Sequence, residues 1–206
     1  MSVSLPDGTT AISPGKLAAI ATVMEMSPAD RRLSSPAQWP DGWQFERVPD
    51  FGVDRYLSLF RAVGRDHLWY ARLLMASDEI AAAIASATTA IFVLSIEGED
   101  AGFAELDLSE PGSCEIVYFG VVREHIGKGA AALMMERVVT FAFERSVKRL
   151  WLHTNTNDHQ RAVSFYRRFG FRPVRQFLEL AEDPRLTGLY DQSAAPHIPI
   201  FRESIR

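Results

Sequence analysis

The stretch from Ser113 to Thr154 constrains the fold more than any other. It holds an apolar, strand-like run, SCEIVYFGVV, then the glycines Gly127 and Gly129, an amphipathic helical segment, and a second strand-like run, RLWLHT. A helix lying between two strands implies a crossover, so the two strands are expected to run parallel in one sheet. The helix keeps Glu136, Thr140 and Glu144 on a wet face and turns Met134, Val138, Phe141 and Ala142 towards a core.

The surrounding segments supply the rest of a mixed sheet. WQFERV (Trp43–Val48) alternates as a half-buried strand, and VDRYLSLFRAVG (Val53–Gly64) has helical spacing with a glycine stop. SDEIAAAIASA starts a second helix with Ser77 as its expected N-cap. Ile91–Ile96 and Gly102–Leu108 form a hairpin about a Glu-Gly-Glu-Asp turn, and QRAVSFYRRFGF is a helix closed by Gly170, with a strand expected near Phe171–Arg175. HIPIF (His197–Phe201) is a further strand candidate. Residues 1–40 read as a partly ordered N-terminal extension, in which Leu17–Met26 is an edge strand or a short helix, and 41–206 as the domain proper. The class is α/β (α+β), with helices on both faces of the sheet.

Composition removes several classes of function. With 206 residues, 47% of them hydrophobic, the chain can bury one full core. A net charge of −4 offers no basic field for nucleic acid. No run reaches the length of a membrane span, and the single cysteine, Cys114, fits a reducing compartment, so the cytoplasm is the default expectation. The five histidines lack metal-ligand spacing, and no metal is expected. As a strand residue with no histidine placed beside it, Cys114 reads as a buried packer rather than a nucleophile.

The glycine turn points to an anion. A nucleotide-hydrolase phosphate loop needs four residues between its glycines and a Lys-Ser/Thr pair, which this sequence lacks. A dinucleotide fingerprint should abut the strand directly, whereas REHI intervenes here. A pyrophosphate resting on the first-turn amides of the helix fits better, because glycine removes the side chains that would block it.

At this point the sequence resembles the GCN5-related N-acetyltransferases. Their Arg/Gln-Gly-x-Gly-x-Gly/Ala motif is matched by Ile126-Gly127-Lys128-Gly129-Ala130-Ala131, with Ile126 where a polar residue is usual. A second family pattern, Asn-x-x-Ala-x-x-Leu/Phe-Tyr-x-x-x-Gly-Phe, is matched by Ala162, Phe165, Tyr166, Gly170 and Phe171, with His159 in place of Asn. The resemblance covers about residues 43 to 175 and implies a mostly antiparallel sheet with a splayed parallel pair.

It also implies acetyl-coenzyme A as cosubstrate and a small-molecule or peptide amine as acceptor. The rival reading is an acyl-coenzyme A binding module without catalysis. An alkyl ammonium must lose a proton before it attacks, and Glu115 matches the family's glutamate base, with Glu105 as the rival. Tyr166 matches the tyrosine that protonates the departing thiolate. A strand bulge near Phe119–Val122 would free amides, those of Phe119 and Val121 among them, for the pantetheine arm, while His159 would contact the coenzyme or start the last helix. Trp69, Tyr70 and His153 are candidates for the acceptor pocket, together with Glu105. A homodimer is left open.

Overall fold

The computed structural model describes residues 7–32 and 38–202. Among these described residues, seven strands form one sheet: β1 (Lys16–Met26), β2 (Trp43–Arg47), β3 (Thr89–Ile96), β4 (Glu99–Asp107), β5 (Ser113–Val121), β6 (Arg149–Asn155) and β7 (Arg172–Glu182). Four helices accompany them: α1 (Val53–Gly64), α2 (Ser77–Ile84), α3 (Ala130–Phe143) and α4 (Ala162–Phe169). The sheet order is β2-β3-β4-β5-β6-β1-β7, antiparallel throughout except between β5 and β6.

Local chemistry explains most boundaries. Glu97 and Gly98 both take positive φ in the two-residue turn that joins β3 to β4, the geometry that matches strand twist. The α2 N-cap is Ala76 rather than Ser77; Ala cannot cap, and the Glu79 carboxylate instead accepts the Ala76 amide at 2.8 Å. Helix α4 ends at Gly170, whose left-handed φ of 110° packs so closely on the Asp30 carbonyl that a Cβ would lie 2.0 Å from it.

Each sheet face buries its own core. Helices α3 and α4 cover a cluster containing Met134, Met135, Val138 and Phe169 with Leu106, Ile116 and Leu150 from the strands. Helices α1 and α2 cover Ile91, Val93 and Phe103 with Tyr56, Phe60 and Ile80. A fully buried side chain of this size contributes roughly 1.5–3 kcal/mol, so the two clusters dominate stability.

Three expectations are corrected. Leu17–Met26 is neither an edge strand nor a helix in a separate extension: β1 lies inside the sheet between β6 and β7. Its composition explains this, since Leu17, Ala19, Ala21 and Val23 are buried on one face while Met24 and Met26 join the core on the other. The last strand runs on to Glu182, because β1 supplies it with an eleven-residue partner. His197–Phe201 forms no strand; the region from Asp183 to Pro199 is organised instead around Arg185, which donates to the Asp183 carboxylate and to the carbonyls of Ala194, Ala195, Ile198 and Pro199.

Candidate active site

The parallel pair opens where the sequence places its functional candidates. Strands β5 and β6 pair at three positions only, ending with Glu115 opposite Trp151. Beyond them β5 stays with β4 as far as Val121, and β6 stays with β1 as far as Asn155. The two strands therefore diverge from Glu115 onwards.

The bulge in β5 is not at Phe119–Val122 but earlier: Glu105 pairs with Tyr118 and Leu106 with Ile116, leaving Val117 as the extra residue. This changes which side chains share a face. Cys114, Ile116, Phe119 and Val121 all pack towards α3 and α4, whereas Tyr118 packs towards α1. Strict alternation would group Glu115 with Phe119 and Val121; the bulge groups it with Tyr118 instead.

On that face a cavity of about 170 Å³ occupies the opening. Trp69, Tyr70, Tyr118, His153, Asn155 and Glu179 are among its lining residues. Three of the four sequence-nominated acceptor contacts, Trp69, Tyr70 and His153, thus come together. Trp69 is fixed at both ends: its indole N–H donates to Asp158 at 3.2 Å, and its carbonyl accepts from the Tyr190 hydroxyl at 2.8 Å. Asp158 also accepts from the Thr154 hydroxyl at 2.7 Å and the Asn155 amide at 3.0 Å, so the turn after β6 and the roof of the cavity share one carboxylate.

His153 stands between two acids, with Nδ1 3.6 Å from Glu115 and Nε2 3.9 Å from Glu179. Its pKa is raised, chiefly by the Glu115 carboxylate beside Nδ1, against the opposing effect of burial. The neighbouring His67 goes the other way, since burial dominates there and pulls its pKa down.

Glu105, the fourth nominated contact, does not line the cavity. It is 2% exposed, accepts from the Tyr56 hydroxyl at 2.5 Å and forms a buried ion pair with Arg72. Arg72 in turn lies 5.5 Å over the Tyr118 ring. The carboxylate is thus a tie between β4 and the segment Ala71–Leu74, one layer behind the cavity wall.

On the opposite face, Tyr166 is 9% exposed and packs edge-on against Phe119 and Phe171. Burial, and secondarily Asp158, pushes its pKa up, so it holds its proton at neutral pH. Cys114 is fully buried, with its thiol pushed up to about 12, which suits a packing role.

The glycine turn forms an open cradle. Gly127 and Gly129 take φ of 80° and 90°, and a Cβ at either would meet nothing within 4 Å. Among the described residues the amides of Gly127, Gly129, Ala130 and Ala131 donate to no protein acceptor. They sit at the positive end of the fourteen-residue α3, with Ile126 and Lys128 exposed beside them. Residues of this kind fit a pyrophosphate. His159 is exposed, and its Nδ1 accepts the Arg161 amide at 3.1 Å, which places it at the entry to α4.

Tyr118, Asp158 and Glu179 had no assigned role in the sequence. The polar run Asn155-Thr156-Asn157-Asp158 at the carboxyl end of a parallel strand was a usable signal for Asp158. Glu179 lies beyond the expected end of its strand, and only the β1 pairing brings it to the cavity.

A mixed sheet whose one parallel pair splays beside an amide-rich helix start defines an acyltransferase-type architecture. The acetyltransferase (GNAT) family model matches residues 39–171, and the chain belongs to that family. It is 32% identical over 95 residues to the uncharacterized protein YxbD of Bacillus subtilis (strain 168), covering 46% of this chain and 54% of that protein. A GCN5-related N-acetyltransferase from Kribbella flavida superposes with a TM-score of 0.54 at 19% identity, covering 84% of this chain and 63% of the other. A putative GNAT acetyltransferase from Novosphingobium aromaticivorans gives 0.56 at 21% identity, covering 85% and 71%. The chain spans about half the length of the Bacillus relative and under two thirds of the Kribbella protein.

Proposed function

We propose that this protein transfers an acetyl group from acetyl-coenzyme A to the amine of a small molecule or peptide end. The observation that carries the reading is the parting of β5 and β6 at Glu115, which opens onto a cavity walled by His153 and Tyr118. The coenzyme supplies the acyl group as a thioester. Every other task falls to the chain.

The amides of Gly127, Gly129, Ala130 and Ala131 bind the pyrophosphate, with Lys128 adding charge and Ile126 adding none. Trp69, Tyr70 and Tyr118 offer ring faces and Glu179 a carboxylate, a set that attracts a cationic amine. The sequence favoured Glu115 as base; in our reading Glu115 acts with His153, which faces the cavity and takes the proton while Glu115 stabilises the imidazolium. Tyr166, kept protonated by burial, gives its proton to the thiolate. Cys114 is unpaired and buried, consistent with work in a reducing compartment such as the cytoplasm.

The test is incubation with acetyl-coenzyme A and a panel of primary amines, following free thiol. Thiol release that depends on an added amine supports transfer. Saturable coenzyme binding with no release across the panel would favour the binding-module reading.

A further inference from the structure

Strand β7 closes one side of the sheet, and its outer backbone row pairs with no other described segment. It is eleven residues long and exposes Phe177, Leu178 and Leu180, with exposed Ile20 opposite Leu178 on β1. Proteins usually shorten, charge or cover such an edge, because it invites another strand. The only irregularity is at Pro173–Val174, where β7 bulges against β1; from Arg175 to Glu182 the pairing is regular.

The side chains along this regular part are arranged to meet their own reverse. Arg175 and Glu179 stand two residues before and after Phe177. In antiparallel pairing, directly opposed residues share a face and interact. A second copy of β7, related by a two-fold axis at Phe177, would set Arg175 against the partner's Glu179, and Glu179 against the partner's Arg175. Phe177 would face its own copy, and on the other face of the sheet Leu178 and Leu180 would lay an apolar strip beside the seam. Arg175 is exposed and makes no ion pair among the described residues, so it is free for this contact.

We propose that two copies of this chain associate through antiparallel β7 pairing about Phe177, so that one sheet runs through both. A foreign strand would need a matching charge order supplied from outside, whereas this chain carries both halves. An isologous two-fold contact also closes on itself, so the β7 edge is used up in the pair. Because Glu179 lines the cavity and Phe177 lies 6.2 Å from His153, the partner's Arg175 would also border the acceptor site. The association itself does not depend on the acyl-transfer reading.

Sedimentation or light scattering on the full chain at micromolar concentrations tests this. The expected result is a dimer that Arg175→Glu weakens at least roughly tenfold by setting like charges opposite each other twice per interface, and that Arg175→Glu/Glu179→Arg restores. In an otherwise native chain, Phe177→Cys should form an intermolecular disulfide on mild oxidation, since facing Cα atoms of an antiparallel pair lie about 4.5–5.5 Å apart and Cys114 is buried. A monomeric wild-type chain, a dimer indifferent to Arg175→Glu, a Phe177→Cys variant that forms no cross-link, or an edge that takes up only a foreign peptide would each overturn the proposal.

Discussion

The Arg72–Glu105 pair provides a sharp energetic test, because Glu105, a candidate base in the sequence, is a buried structural tie in the fold. Glu105 is 2% exposed and its carboxylate has two protein partners, Tyr56 and Arg72; the Arg72 side chain is 18% exposed. Removing one member of a buried pair costs about 3–5 kcal/mol, because the other charge stays behind in a poor dielectric. Solvent reaches the guanidinium side, so Arg72→Met should fall at the low end, about 3 kcal/mol. Glu105→Met strands a cation that can turn outwards, and about 2 kcal/mol is expected. Replacing both leaves apolar chains of similar volume and one unpaired Tyr56 hydroxyl, a loss of about 1–2 kcal/mol. The singles thus sum to about 5 kcal/mol, and the cycle should show coupling of about 3–4 kcal/mol. Urea unfolding of the four proteins, read by linear extrapolation, measures it. Two singles costing under about 1 kcal/mol each, adding in the double, would refute the reasoning. So would a Glu105→Gln variant with wild-type stability and no transfer activity, which would return the base role to Glu105.

Four further outcomes follow from the site. His153→Gln should lower kcat/KM by about 10²–10⁴, the usual contribution of a general base. Glu115 raises the His153 pKa, so Glu115→Gln should lower it, keep the imidazole neutral to more acid pH, and move the rising limb of the pH–rate profile to lower pH; a limb that stays in place would dismiss the pair. Tyr166→Phe should slow turnover without abolishing it, since a thiol with a pKa of about 8.5 leaves tolerably unaided, and single-turnover kinetics will measure the residual rate. Gly127→Val or Gly129→Val should erase the thermal shift given by coenzyme A while the protein still melts cooperatively, because a branched side chain at positive φ distorts the cradle and screens its amides.

The elements from Trp43 to Phe171 were legible because each carries its own period and its own boundary, as with Gly170 after α4. The glycine cradle was legible for the same local reason. What escaped was long-range. Nothing near Leu17–Met26 says that its partners lie at Leu150–Asn155 and Arg172–Glu182, so its interior place, the length of β7 and the arrival of Glu179 at the cavity were all hidden. The bulge at Val117 escaped too, because it comes from the β4 register and not from a glycine or proline in β5. One extra residue was enough to move Glu115 from the face of Phe119 to that of His153.

The position of β1 has a consequence for biogenesis. A strand that leaves the ribosome early must wait, unpaired, until residues such as Asn155 and Glu182 have been made, since those are its neighbours in the finished sheet. The β2–β5 meander can assemble during translation, whereas the β6-β1-β7 half can close only late, which makes the first strand the clasp that completes the molecule.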